Sequence, residues 1–322
     1  MKKVVLTYDS PGGLEYEQQV FSNFAELVKM PCETEEDLIK NCKDADAVLC
    51  VYEPFTAFVM DNLPKLKIIA VKAIGVDTVD IEAAKQRGIA VTNIPEYCIN
   101  EVADHTVMLI LAINRRLIQF HNSVQQDKVW KYDICQDISR LGECTVGLMG
   151  FGNIPRLVTQ RLRGFGSKIL AYDPFVDVKI AKEYGVHLVD IDELYSNSDY
   201  ICCHLPHNKH TEKMVNREAF DKMKDGVVFI NTGRGKVVDE KALIDALDKG
   251  KVGYSGLDVL ENENPDMNIS PLNGRNNVIL TPHIAYYSKA SIRDAKIHSA
   301  ENILYYLKGD YEKCSIVNGV NA

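Results

Sequence analysis

A chain of 322 residues is long enough for two domains at about 100–200 residues each. With 46% hydrophobic and 25% charged residues it reads as globular, and its formal net charge of −8 argues against nonspecific nucleic acid binding and leaves no basic patch for a membrane surface. Nine cysteines without a C-x-x-C, two of them (Cys202, Cys203) adjacent in an apolar run, read as reduced thiols of a cytoplasmic protein. Met1-Lys2-Lys3, followed only by Val4-Val5-Leu6 before Thr7, reads as the approach to a first strand and not as a signal peptide. No stretch reaches the roughly 18 apolar residues of a membrane span; the longest run, Val107–Ile113, is bracketed by His105 and Arg115.

Short apolar runs and amphipathic stretches alternate over the first hundred residues. Strands are expected at 3–7, 47–51, 68–71 and 90–92, and helices at 17–28, 35–41 and 81–86, the last closed by Gly88. This βα alternation predicts a mostly parallel sheet with helices on its faces. Two strand ends stand out, Val51-Tyr52-Glu53-Pro54-Phe55 and Ala73-Ile74-Gly75-Val76-Asp77, since open α/β sheets place ligands there; a plain surface loop is the competing reading of each. Residues 99–123 are expected as one long helix, apolar nearly all round in its middle, and so buried either between domains or against a second subunit. The mixed segment 128–142 reads as a crossing loop. A second series follows, with strands expected at 145–149, 168–172, 187–189, 200–204, 227–231, 254–258 and 278–280 and helices at 153–163, 178–184, 191–197, 216–223 and 240–248. A final helix is expected at 288–307.

The organising stretch is Gly147–Arg161. An apolar strand runs into Gly150-Phe151-Gly152, and an amphipathic helix starts at Asn153. Strand, glycine turn and helix N-terminus form a phosphate-binding context, because the backbone can come close to a pyrophosphate and free N–H groups point at it. The third glycine of G-x-G-x-x-G is absent; Pro155 stands in its place. Asp173 closes the next strand about 20 residues on, where an acid accepts hydrogen bonds from both ribose hydroxyls and repels a 2′-phosphate, favouring NAD over NADP. A simple turn cap before Pro174 is the alternative.

Three further strand ends carry polar groups. Arg234 lies between Gly233 and Gly235 after Asn231-Thr232, and its guanidinium fork suits a planar carboxylate. Asp258 ends the next strand, followed by Glu261 and Glu263. His283 follows Thr281-Pro282, and an imidazole beside a carboxylate can hold or release a proton near neutral pH, which alcohol–carbonyl interconversion requires. His204, His207 and His210 are read as loop residues and not as a metal site, since Pro206 interrupts any helix that would align them.

These residues resemble the D-isomer-specific 2-hydroxyacid dehydrogenases, a family that includes D-lactate, D-2-hydroxyisocaproate, phosphoglycerate and glyoxylate/hydroxypyruvate enzymes. The resemblance runs over AIGVDTVD (73–80), NIPEYCINEVADHT (93–106), VGLMGFGNI (146–154), CHLPHNKHT (203–211), MKDGVVFINTGRGKVVDEKAL (223–243), GLDVLENE (256–263) and TPHIAYYS (281–288). The second tract is most similar to the D-lactate and D-2-hydroxyisocaproate branch, and the last also to the branch containing the C-terminal-binding-protein corepressors.

The resemblance implies an α/β architecture of two Rossmann-like, doubly wound parallel-sheet domains with the active site in the cleft between them. Residues 1–100 with 285–322 would form the substrate-binding, flavodoxin-like domain and residues 101–284 the NAD-binding domain. It implies an NAD-dependent reductase of a small 2-oxo acid to the (R)-2-hydroxy acid, acting as a homodimer with helix 99–123 at the hinge and interface. Arg234 would bind the substrate carboxylate and carbonyl oxygen; His283 would donate the proton, paired with Glu263. The N–H groups of Ile74 and Gly75 would hold the carboxylate. Gly150, Gly152, Asn153 and Ile154 would meet the pyrophosphate, Asp173 the adenine ribose, Leu205, Pro206 and Thr211 the cofactor groove, and Thr232, Gly233 and Asp258 the nicotinamide end. Tyr52, Phe55, Tyr97 and Tyr286 are expected as pocket walls for an apolar side chain of modest size, with Glu53, if it points inward, disfavouring a second anionic group. Pro155 departs from the family pattern; NAD binding is expected to survive it, since proline is tolerated in a first helical turn. The competing class is a nonenzymatic NAD(H)-sensing, corepressor-like protein on the same fold.

Overall fold

The computed structural model describes every residue except Pro11, Asp137 and Ala322, and divides into two compact units, Met1–Tyr97 with Ser288–Ala322, and Cys98–Tyr287. The crossing loop expected at 128–142 includes Asp137, which lies outside the described residues.

The first unit runs β1 (Lys2–Leu6), α1 (Glu15–Phe21), β2 (Ala25–Lys29), α2 (Glu35–Cys42), β3 (Ala47–Cys50), α3 (Ala57–Asp61), β4 (Ile68–Val71), α4 (Ile81–Gln86) and β5 (Ala90–Thr92). Its five strands form one parallel sheet in the order β2-β1-β3-β4-β5. β3 and β4 are buried along their whole length, as strands covered on both faces should be.

The helix expected over 17–28 is a correction. α1 stops at Phe21, Ser22 turns to φ 46°, and 25–29 becomes β2, in register with β1 from Lys2↔Ala25 to Leu6↔Lys29. The short apolar spacing in this stretch satisfies either period, and pairing to β1 decides it. The five-residue α3 went unanticipated; its start is set by the Thr56 hydroxyl, which accepts a bond from Val59 N.

The second unit opens with α5 (Ile99–Asn114) and α6 (Leu117–Gln125). The single helix expected over 99–123 is therefore two. Arg116 adopts φ 53°, donates from Nη1 to Ile113 O at 2.6 Å and stacks 3.7 Å from the Tyr254 ring centroid, so the chain turns where a polar side chain is held down. Alternation then follows: β6 (Thr145–Met149), α7 (Asn153–Arg163), β7 (Lys168–Tyr172), α8 (Val178–Glu183), β8 (His187–Leu188), α9 (Ile191–Asn197), β9 (Tyr200–Cys203), α10 (Arg217–Lys222), β10 (Val227–Asn231), α11 (Glu240–Asp248), β11 (Val252–Leu257) and β12 (Val278–Leu280). These seven strands form a parallel sheet in the order β12-β11-β10-β9-β6-β7-β8. The order reverses between β6 and β9, and the carboxyl ends beside that reversal are where a doubly wound sheet leaves a crevice. α5 seats on β11 at Gly256, where an added Cβ would lie 3.2 Å from Leu109 Cβ. The chain then returns to the first unit as α12 (Lys289–Lys308), opened by a Ser288/Ser291 capping box and closed by Gly309 at φ 88°.

Candidate active site

In the second unit, six adjacent strand ends carry the residues singled out by the sequence. β6 turns at Gly150 (φ 92°), whose N–H donates to Tyr172 O at 2.8 Å. Phe151 is fully buried and its N–H donates to Asp173 Oδ2 at 2.8 Å, while Phe175 N donates to Oδ1 at 2.9 Å. Asp173 thus ties the glycine turn to the end of β7. Each of its oxygens retains acceptor capacity, so the turn-cap and ribose readings are compatible.

Gly152 starts α7 without a side-chain cap, and a Cβ built there meets no atom within 4 Å. The first N–H groups of α7 therefore open onto free space, a cradle fit for a phosphate. Asn153 is exposed and Ile154 half-buried at this end. Pro155 is buried as the third residue of α7, a position whose N–H has no partner inside the helix, and the helix continues with Arg156 N donating to Gly152 O.

At the end of β9, burial brings His204 down to about 4, and its Nε2 is buried without a hydrogen-bond partner. Leu205 is buried and Pro206 exposed; Thr211 Oγ1 donates to Pro206 O at 2.6 Å and accepts from Asn208 N at 2.9 Å, closing this loop. Among the described residues, no group of three or more His, Cys, Asp or Glu side chains is arranged to hold a metal ion.

After β10, Asn231 Oδ1 accepts from Gly233 N at 3.0 Å and its Nδ2 donates to Arg234 O at 3.1 Å, bracing the turn that presents Arg234. The flanking glycines are required by close approach rather than by φ. A Cβ on Gly233 would lie 3.1 Å from the Cys203 and Leu205 carbonyl oxygens, and one on Gly235 only 1.8 Å from Leu260 O.

Asp258, just beyond β11, is 2% exposed. Its carbonyl accepts from His283 N at 2.8 Å, Oδ1 from Ile284 N at 3.0 Å and Oδ2 from Ala285 N at 2.9 Å. Three successive N–H groups therefore converge on one residue, and they hold His283 at φ 51°, a region that costs a non-glycine residue about 1–2 kcal/mol. The His283 ring stands with Nδ1 2.8 Å from Glu263 Oε2. An imidazole so oriented by a carboxylate can relay a proton through its other nitrogen.

Sequence reading missed the groups behind this loop. Thr281 Oγ1 donates to Asp258 Oδ1 at 2.5 Å, and His105 Nε2 on α5 lies 3.0 Å from the same hydroxyl. The next residue, Thr106, pairs its hydroxyl with that of Thr232 at 2.8 Å. The available signal was the polar Asp104-His105-Thr106 step just ahead of the apolar run Val107–Ile113.

In the first unit, Ile74 and Gly75 sit in a half-buried loop beyond β4, held by Asn93 Nδ2 donating to Ile74 O at 2.7 Å and by Ile94 N donating to Ala73 O at 3.0 Å. Tyr52 is 65% exposed and Tyr97 half-buried. Phe55 is a correction: it is fully buried in the core of this unit against the α2–β5 layer and walls no pocket. Glu53 is also not a free charge, because its Oε2 folds back to accept from Val51 N at 2.8 Å and Tyr52 N at 3.1 Å. Tyr286 of the second unit is half-buried and meets the His283 ring edge-on, 6.2 Å between centroids.

Residues 107–285 match the family model described as "D-isomer specific 2-hydroxyacid dehydrogenase, NAD binding domain". The chain is 37% identical over 308 residues to a D-3-phosphoglycerate dehydrogenase of Archaeoglobus fulgidus, covering 94% of this chain and 55% of that one. It thus spans about half the length of the phosphoglycerate dehydrogenases it matches. It is 35% identical to a hydroxypyruvate reductase of Blautia hydrogenotrophica, covering 89% of this chain and 88% of the other. Among solved structures, a D-lactate dehydrogenase of Aquifex aeolicus complexed with NAD and lactic acid superposes with a TM-score of 0.89 at 32% identity, covering 98% and 99% of the two chains.

Proposed function

We propose that this chain, which belongs to the D-isomer specific 2-hydroxyacid dehydrogenase family, reduces a small 2-oxo acid to the (R)-2-hydroxy acid with NADH. The observation that carries the reading is the His283–Glu263 pair at 2.8 Å, set on the same sheet edge as the Arg234 turn and the open glycine turn. In this reading NADH supplies the hydride. The N–H groups at Asn153 and Ile154, with Gly150 and Gly152 giving close approach, hold the pyrophosphate, and Asp173 the ribose. Leu205, Pro206 and Thr211 line the cofactor groove, and Thr232, Gly233 and Asp258 its nicotinamide end. Arg234 binds the substrate carboxylate by a two-pronged hydrogen bond and polarises the carbonyl. His283 gives its Nε2 proton to the carbonyl oxygen while Nδ1 stays with Glu263, and takes it back in oxidation.

We assign the first unit to substrate binding, with the Ile74 and Gly75 N–H groups for the carboxylate and Tyr52 and Tyr97 for the remainder of the substrate, and the second unit to NAD. Hydroxypyruvate and lactate, named for two of the relatives, are both three-carbon acids and fit a small substrate. A homodimer is supported by a groove of about 650 Å³ on the second unit, where Met108, Leu111, Leu117 and Phe165 leave apolar surface between Asp104, Arg115 and Arg161. The free cysteines fit a reducing cytoplasm. No helix among the described residues is long and apolar enough to cross a membrane.

The test is NADH oxidation with pyruvate, 2-oxoisocaproate, phenylpyruvate, hydroxypyruvate and glyoxylate. Turnover with at least one, abolished in His283→Ala while NADH still binds, is expected. NADH binding without turnover on any of the five would favour the nonenzymatic sensor instead.

A further inference from the structure

We infer that His105 is a positioning residue for His283, acting through Thr281 and Asp258. The direction of the chain follows from counting protons. Thr281 has one hydroxyl proton, and the 2.5 Å contact gives it to the Asp258 carboxylate. Its oxygen can then only accept from His105 Nε2, 3.0 Å away, which fixes the proton of the neutral imidazole on Nε2. Burial lowers the affinity of His105 for a second proton, so it remains neutral near pH 7. The same Nε2 lies 3.6 Å from Asp258 Oδ1, so the donor dipole points at the carboxylate from a second line.

Asp258 is in turn the residue onto which the N–H groups of His283, Ile284 and Ala285 converge. A carboxylate that accepts two of them must stay ionised and must not rotate. The relay supplies both conditions from α5, with His105 lying 176 residues before Thr281 in the chain. Buried hydrogen-bond chains of this kind polarise one another and hold a unique geometry. Without the relay, Oδ1 loses its hydroxyl donor's fixed orientation, and the left-handed turn carrying the imidazole loosens. Ring placement against Glu263 then suffers, whereas the phosphate turn, on the other side of the sheet's reversal, is untouched.

This inference rests on His283 as the proton donor, so His283→Ala is the reference: retained turnover there would sink the functional reading itself. With that variant inactive, His105→Ala is expected to lower kcat by about 10–100-fold, the range typical for loss of a hydrogen-bonding group that orients a metal-ligating side chain. NADH affinity should stay within about 2-fold, and the high-pH limb of kcat/KM should move. His105→Gln, whose amide can reach the Thr281 hydroxyl with an N–H, should restore most of the rate and the limb. Thr281→Val breaks the relay without altering α5, and serves if His105→Ala does not fold. The His105→Ala/Thr281→Val pair should lose no more than Thr281→Val alone, because both cut one chain. Unchanged kcat in His105→Ala, additive losses in the pair, or a glutamine variant no better than alanine would overturn the inference.

Discussion

Gly152→Ala separates the cofactor site from the fold. Gly152 has φ −75° and ψ −159°, a conformation alanine adopts without strain, and the added methyl meets no atom within 4 Å. Alanine is a poorer helix N-cap than glycine by several tenths of a kcal/mol to about 1 kcal/mol. Against this, the alanine chain has less freedom to lose on folding, a gain of about 0.4–1 kcal/mol. The two terms nearly offset, so Tm should change by no more than about 2 °C. In the proposed reading the methyl takes up part of the free space at the start of α7 that the pyrophosphate needs. Displacing a phosphate oxygen from one N–H donor there removes a charge-assisted hydrogen bond worth about 1.5–3 kcal/mol, which weakens NADH binding by roughly 10–150-fold. Fluorescence titration with NADH and a thermal melt on the same preparation measure both. An unchanged Kd would refute the placement of the pyrophosphate here. A loss of binding accompanied by a fall of more than about 5 °C in Tm would refute the claim that the space is free.

Gly235→Ala should behave in the opposite way. Its Cβ would stand 1.8 Å from Leu260 O and 2.1 Å from Leu260 C, both backbone atoms, so the 260–261 segment must move; a loss of more than about 3 kcal/mol is expected, and a urea midpoint equal to wild type would contradict it. Pro155→Gly should lower stability by about 1 kcal/mol or more, since glycine loses more freedom in a helix, and leave the NADH Kd within about 2-fold; tighter binding would mean that the proline displaces the helix beneath the phosphates. His204 carries its folded-state value at about 4, against an ordinary value of 6.5. The unfolded chain therefore binds the extra proton over that window, and stability should be lost as pH falls from 6.5 toward 4. The shift is worth about 3 kcal/mol. His204→Gln should flatten that part of the stability–pH curve in urea unfolding, and an unaltered slope between pH 7 and 4.5 would rule His204 out as its source.

The second unit was largely legible from sequence because its chemistry sits at strand ends. An apolar run followed by Gly150, Asp173, Asn231, Asp258 or Thr281 marks where a buried strand reaches the sheet edge, and all five runs form strands of one parallel sheet. What failed were inferences that needed a partner from elsewhere in the chain. Residues 25–29 carry too few apolar positions to choose between periods of 2 and 3.6, and β1 makes the choice for them. Nothing local marks Arg116 as a break in the helix expected over 99–123; its left-handed backbone goes with stacking on Tyr254, a residue far along the chain. Phe55 beside Glu53 suggested a pocket wall, but nothing local says that the loop folds its carboxylate back onto Val51 and Tyr52 while Phe55 turns into the core.

The glycines around Arg234 and the histidine at 283 show how backbone packing adds constraints that the sequence pattern does not display. Neither Gly233 nor Gly235 has positive φ; the Cys203 and Leu205 carbonyls crowd a methyl group at the first, and the Leu260 carbonyl leaves no volume for one at the second. The residue that does occupy the left-handed region is His283, where a glycine would fit more easily but has no imidazole. A conformation that opposes folding at a non-glycine residue persists only if its surroundings determine it. Here that surrounding is Asp258, reached by three backbone N–H groups from the 283–285 turn and by one hydroxyl, itself backed by His105. The acid read from sequence as a cofactor contact is thus already committed to shaping the 283–285 turn, and any part it takes in the proposed nicotinamide site must use the lone pairs these bonds leave open.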